Sequence, residues 1–220
     1  MSADAMPGPV PETRLVTISA AYGAGGSVVG PALALRLGVP FLQRVTTNEA
    51  DAADGDPCAE ALAPDEARST PVHRLLASFT HAMPVGSTQS PLPSHWDEQD
   101  LRNNAEAGIR RLAASGEGVI LGRAGAVVLG KNVGFHVRLD GPPERRMTQG
   151  AVIENVGEDE AKARLQAADK ARTTYVRRLY RVDPADTAHY HLVIDSTAIP
   201  LEAVTEVILQ AMSARSAVPT

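Results

Sequence analysis

The chain has 220 residues, 44% of them hydrophobic, and a formal net charge of −5. That allows one good core with room for an inserted subdomain, while the acidic balance argues against a nucleic-acid binder, whose footprint is basic. The single cysteine, Cys58, excludes an internal disulfide framework and suits a reducing cytoplasm, and no apolar run approaches the ~20 residues that span a bilayer.

Residues 1–13, proline-bearing and acidic, lack the basic-then-apolar order of a signal peptide and are expected to be a disordered lead-in. "LVTIS" (15–19) is a β-branched run suited to a buried strand. A glycine cluster follows, and from Ser27 to Leu37 the apolar positions Val28, Val29, Leu33 and Leu37 recur at helical spacing, with Gly38 as the stop. "VPFL" (39–42) predicts a second short strand, and a strand–helix–strand order predicts a parallel pair.

Residues 46–95 are acidic, alanine-rich and full of turn formers, and read as an insertion with one helix around Val72–Phe79. Ser94 is placed to cap a helix running to about Ser115, with Leu101, Ala105, Ile109 and Leu112 on one face. Strands are expected in "GEGVILG" (116–122), "GFHVRLD" (134–140) and "YHLVID" (190–195). Helix is expected over 143–180, broken near Asn155–Gly157, and again over 201–214. This alternation predicts a three-layer α/β fold, a parallel sheet flanked by helices.

The glycine cluster carries the first chemistry. A helix N-terminus preceded by glycines presents bare N–H groups and the positive end of a dipole, which together attract phosphate. In the usual G-x-x-x-x-G-K-[ST] pattern, the lysine reaches the β- and γ-phosphates and the hydroxyl holds magnesium. Registering Ser27 on the hydroxyl puts Gly25 on the second glycine, Gly26 on the lysine and Ala20 on the first glycine. The loop could bind phosphate, but cationic help must come from elsewhere, because charge stabilisation is the main catalytic term in phosphoryl transfer.

Three separated stretches, "YGAGGSVVG", "GVILGRAGAVVL" (read as a strand) and "ADKARTTYVRRLYRVDPADTAHYHLVIDS", together resemble the cytidylate kinase-like branch of the P-loop nucleoside monophosphate kinases. In that branch a Y-G-[SA]-G-G loop often replaces the lysine-bearing one. The resemblance implies a domain over 14–212, with 46–95 as the acceptor-binding insertion, 152–188 as a helical lid and 213–220 as a tail. It implies that Gly23, Ala24, Gly25, Gly26, Ser27 and Val28 bind ATP, with Ser27 as the Mg2+ ligand. It also implies that Arg123 contacts the acceptor's phosphate, and that Asp169, Arg172, Arg177, Arg178 and Arg181 belong to the lid. Arg123, Arg172 and Arg177 are the expected catalytic cations, Arg172 acting with Arg177 or Arg181 to replace the missing lysine. The implied reaction transfers the γ-phosphate of ATP to a pyrimidine nucleoside monophosphate in the cytoplasm. The expected partners are nucleotides, not membrane or nucleic acid, and a homodimer is left open.

The chain departs from the branch where Ala20-Ala21 replaces an Arg-Glu pair, at Gln43 in "FLQR", and at Ala124 after Arg123. Those losses motivate the alternative of a catalytically impaired nucleotide sensor or interaction protein. The six histidines show no zinc spacing, and His189 and His191 read as surface residues. Asp195 and Asp140 read as turn residues at strand ends, although Asp195 could also hold a magnesium-bound water.

Overall fold

In the computed structural model the described residues are 14–42, 98–122 and 124–216. The lead-in 1–13, the 46–95 insertion with its expected helix, Gln43, the Ser94 cap and Arg123 lie outside them. The β-branched run forms β1 (Arg14–Ala20), the glycine cluster opens α1 (Gly26–Leu37), and β2 is Phe41–Leu42. Then follow α2 (Glu98–Ala114), β3 (Glu117–Leu121), α3 (Gly125–Leu129) and β4 (Phe135–Asp140). The chain continues through α4 (Pro143–Glu154), α5 (Glu158–Tyr180), β5 (Leu192–Asp195) and α6 (Leu201–Ser216).

All five strands are parallel, in the order β2-β3-β1-β4-β5. The sequence pairs β2 with β1, but β3 lies between them: Val16 registers on Val119, and Val119 in turn on Phe41. The sheet is buried on both faces, which is why β1 reads as a continuous apolar run instead of alternating. Val16, Ile18, Val119, Val137 and Leu139 pack with Val29 and Leu33 of α1 and Val204 and Ile208 of α6. Each such fully buried side chain contributes about 1.5–3 kcal/mol. Ile109 of α2 closes the other face on Leu15 and Ile120.

Two further expectations need correction. "GVILGRAGAVVL" is not one strand. It ends at Leu121, and Gly122 and Ala124, both with left-handed φ (79° and 55°), turn the chain into α3. His191 is not a surface residue either. Its ring stacks on Phe135 and His136, with centroids 5.4 and 5.1 Å apart, and its Nδ1 accepts the His136 backbone N–H. Burial, helped by the nearby Arg215 cation, lowers its pKa to about 4. His136 is fully buried, between the Thr17 hydroxyl at 2.8 Å and the Gly130 carbonyl at 2.9 Å, and desolvation likewise lowers its pKa. His136 is therefore part of the core, and His191 packs against it.

The break near Asn155–Gly157 falls where expected. Asn155 takes a left-handed φ of 52° and caps α4, and Gly157 precedes α5. The expected tail at 213–220 begins inside α6, which runs to Ser216. Among the described residues no helix is long and apolar enough to cross a membrane.

Candidate functional site

The site forms where β1 ends at the carboxyl edge of the sheet, a place where open α/β folds gather ligands. Gly23 and Gly25 both have left-handed φ, 71° and 75°, which wraps the chain over the start of α1. Neither tolerates a side chain. A Cβ on Gly23 would lie 1.8 Å from the Arg146 carbonyl oxygen, and one on Gly25 would strike the Leu201 side chain at 2.4 Å.

The N–H groups divide cleanly. Tyr22 donates to Asp169 Oδ1, Ala24 to the Ala21 carbonyl, and Val28 and Val29 both to the Gly25 carbonyl. The amides of Gly23, Gly25, Gly26 and Ser27 have no acceptor among the described residues. Of the six loop residues singled out in the sequence, Ala24 and Val28 thus have their N–H tied up and the other four present it. α1 has no side-chain cap and no acid in its first turn, whereas α4 and α5 begin with Glu144 and with Glu158, Asp159 and Glu160. Its positive end is left for an external anion. Ser27 is exposed at that end.

The missing lysine has a steric counterpart. A Cβ on Gly26 would lie 2.5 Å from Ala20 Cβ and 3.0 Å from Leu121 Cδ1. The methyl of Ala20 thus fills the space that a side chain at position 26 would need. Restoring lysine at position 26 alone would therefore clash with Ala20 and Leu121.

Cations enter from α4 and α5. Arg146, in the first turn of α4 and only 6% exposed, donates to the Tyr22 carbonyl at 3.0 Å, to Asp169 Oδ2 at 2.8 Å and to the Gly141 carbonyl at 2.9 Å. Arg172 approaches Asp169 Oδ1 at 3.4 Å from one turn further along α5. Arg138 grips Asp140 at 2.6 and 3.0 Å, and Asp140 lies 3.6 Å from Arg146. Three guanidiniums, Arg138, Arg146 and Arg172, therefore share two carboxylates, Asp140 and Asp169. Burial is the main force lowering the Arg172 pKa. Asp169 opposes it, and the Arg138 and Arg146 charges add to it.

The loop tyrosine binds the helical pair. Tyr22 Oη donates to Glu154 Oε2 at 2.8 Å, and Arg164 also donates to Glu154, at 2.7 Å. Burial first, then the bond to Glu154, raises the Tyr22 pKa, so the phenol stays protonated. Gly150 leaves room for the ring, since a Cβ there would lie 2.7 Å from Tyr22 Cε1.

The remaining residues picked from sequence fall elsewhere. Arg177 pairs with Asp183 at 2.6 Å on the exposed surface, and Arg181 lies beyond α5 as its left-handed cap. Asp195 accepts from Thr197 and, at 2.6 Å, from Arg145, a turn role as read. Sequence reasoning missed Arg146, Gln149 and Ser196. Gln149 Nε2 donates to the Gly23 carbonyl and Ser196 Oγ to the Ala24 carbonyl, each at 2.8 Å.

Comparison with known proteins agrees with this architecture. A family described as "Cytidylate kinase-like family" matches residues 15–198. An uncharacterized protein of Eubacterium ventriosum superposes with a TM-score of 0.60 at 17% identity, over 90% of this chain and 97% of that one. The shikimate kinase of Acinetobacter baumannii, solved with shikimate, superposes with a TM-score of 0.52 at 16% identity, over 94% and 97%. These likenesses show a P-loop kinase fold. A curated uronate isomerase of Corynebacterium glutamicum is 34% identical over 101 residues, 44% of this chain. The match spans only 19% of that protein, so its activity is not carried over.

Proposed function

The chain belongs to the cytidylate kinase-like family, and on that premise we propose that it binds ATP at the glycine loop and transfers the γ-phosphate to a pyrimidine nucleoside monophosphate in the cytoplasm. The observation that carries this reading is the set of four amides at Gly23, Gly25, Gly26 and Ser27, with no acceptor among the described residues, at the uncapped start of α1. Backbone donors cradle phosphate oxygens with no reorganisation on binding.

Ser27 suits magnesium, because its hydroxyl is exposed beside those amides. Among the described residues no cluster of three His, Cys, Asp or Glu side chains could hold a metal. The ion would be held by the Ser27 hydroxyl together with phosphate oxygens and water. When bound, the ion neutralises charge on the phosphoryl oxygens. Arg172 supplies the protein's cation in place of the lysine, held within reach of the loop by Asp169, which itself accepts the Tyr22 N–H. Arg177 would have to leave Asp183 to take part, which makes it the weaker of the two. Arg123 and the 46–95 insertion are assigned to the acceptor phosphate and the acceptor through the family resemblance. Catalysis is then positioning plus electrostatics, with little covalent chemistry left to the protein.

The test is ADP release from ATP and magnesium with a panel of nucleoside monophosphates. Arg172→Ala should lower kcat/KM about 100-fold, the size expected for removing one charge-stabilising group; unchanged kinetics would remove Arg172 from the site. One observation favours a second reading. The filled space at Gly26 and the buried Ala21 leave the loop itself without a charged side chain. ATP binding by calorimetry with no ADP release over hours would identify a nucleotide sensor on the same fold.

A further inference from the structure

We infer that Gln149 and Ser196, together with Arg146, are positioning residues that preset the anion cradle by pinning the loop's carbonyls on the side away from the ligand. This rests on the phosphate-binding reading above and says how that site is held ready.

Four consecutive carbonyls are all occupied. The Tyr22 oxygen accepts from Arg146 Nη1 at 3.0 Å, Gly23 from Gln149 Nε2 at 2.8 Å, and Ala24 from Ser196 Oγ at 2.8 Å. The Gly25 oxygen accepts from Val28 and Val29 of α1. The side-chain donors to the first three come from outside the loop. Arg146 and Gln149 lie on α4, Ser196 follows β5, and the valines are on α1. No peptide among the described residues is cis. In a trans peptide the C=O of one residue and the N–H of the next point opposite ways. Fixing the Tyr22 and Ala24 oxygens therefore fixes the Gly23 and Gly25 N–H groups on the other side. The Gly25 oxygen does the same for Gly26. Gln149 acts one step removed: it fixes the Gly23–Ala24 peptide, whose N–H folds back to the Ala21 carbonyl at 3.1 Å and so closes the turn that carries the Gly23 and Gly25 amides.

Glycines need this help. With two residues at left-handed φ and no side chains to restrict them, the loop would otherwise sample many peptide orientations. Ordering it on ligand binding would then cost affinity. Ser196 is fully buried, and its backbone N–H donates to the Asp140 carbonyl at 3.1 Å, which holds the residue between β4 and the loop.

The experiment uses the full chain and inorganic tripolyphosphate as a probe of the cradle alone, without magnesium, titrated calorimetrically well below the melting temperature. Gln149→Met keeps length and removes the donor. Ser196→Ala removes the hydroxyl without adding bulk. Each should weaken tripolyphosphate and ATP binding about ten-fold, the equivalent of one neutral hydrogen bond, while Ser196→Ala also melts earlier. A residue serving only the fold would melt earlier yet bind unchanged at a temperature where it is fully folded. Gln149 is half-buried, so its variant keeps the test open should Ser196→Ala fold poorly. If the wild type binds and both variants bind as tightly, the positioning role is wrong and the phosphate site stands. If the wild type binds neither tripolyphosphate nor ATP, the phosphate site itself is wrong and the positioning role goes with it.

Discussion

Gly23→Ala is expected to destabilise the protein by about 3–5 kcal/mol and to abolish phosphate binding. Two costs combine. The residue sits at φ 71°, where a side chain is strained, at about 1–3 kcal/mol. Its new Cβ would also lie 1.8 Å from the Arg146 carbonyl oxygen, 2.7 Å from that residue's carbonyl carbon and 3.2 Å from its Cα. Those are backbone atoms, so no rotamer change can yield. Either the loop lifts from α4 or the first turn of α4 moves, and both break the Gln149 and Arg146 bonds to the loop. Urea denaturation should show a lower midpoint with an unchanged m-value, since the surface exposed on unfolding is the same. Gly38→Ala is a useful comparison. It has a similar φ of 65° but open space where the methyl would go, so it should cost only the conformational part, about 1–2 kcal/mol.

Arg146→Ala is expected to cost about 2–4 kcal/mol and to loosen the loop from both helices. The side chain is 7% exposed and joins three elements: β1's end through the Tyr22 carbonyl, the β4–α4 turn through Gly141, and α5 through Asp169. Breaking a buried ion pair by removing one partner costs roughly 3–5 kcal/mol. The lower figure applies here because Asp169 is 29% exposed and keeps Arg172 as a partner. Arg146→Lys should recover only part of the loss, since an ammonium cannot reach three acceptors as a guanidinium fork does. A double-mutant cycle with Asp169→Asn measures the coupling directly. Coupling below about 0.5 kcal/mol would place the pair among ordinary surface salt bridges and overturn its role in holding α5 to the loop.

Much of the fold and part of the site were legible because the signals are local. The β-branched run, the glycine cluster and the apolar spacing through Leu37 place β1, the loop and α1 without help from elsewhere in the chain. Asn155 and Gly157 mark the break between α4 and α5 through their own backbone preferences. What stayed hidden is held by distant partners. Gln149 and Ser196 reach the loop across 126 and 172 residues of chain, and no periodicity encodes such a contact. The position of β3 between β1 and β2 is equally non-local. The short α3 was lost because Ala124 adopts a left-handed conformation that alanine rarely takes, so an apolar run read as continuous strand. Arg146 did leave a trace. Arg145 and Arg146 lie in the first turn of α4, where the helix dipole disfavours cations. Such a misfit has to be balanced by specific partners, here Asp195 for Arg145 and Asp169 with two carbonyls for Arg146.

The most direct measurement follows the loop's own amides by 1H–15N correlation NMR while ATP is added. The resonances of Gly23, Gly25, Gly26 and Ser27 should move downfield together as their N–H groups take up phosphate oxygens, with Ala24 and Val28 shifting much less because their hydrogen bonds are already made. ATP that binds while those four amides stay in place, or shifts confined to some other part of the molecule, would contradict the account.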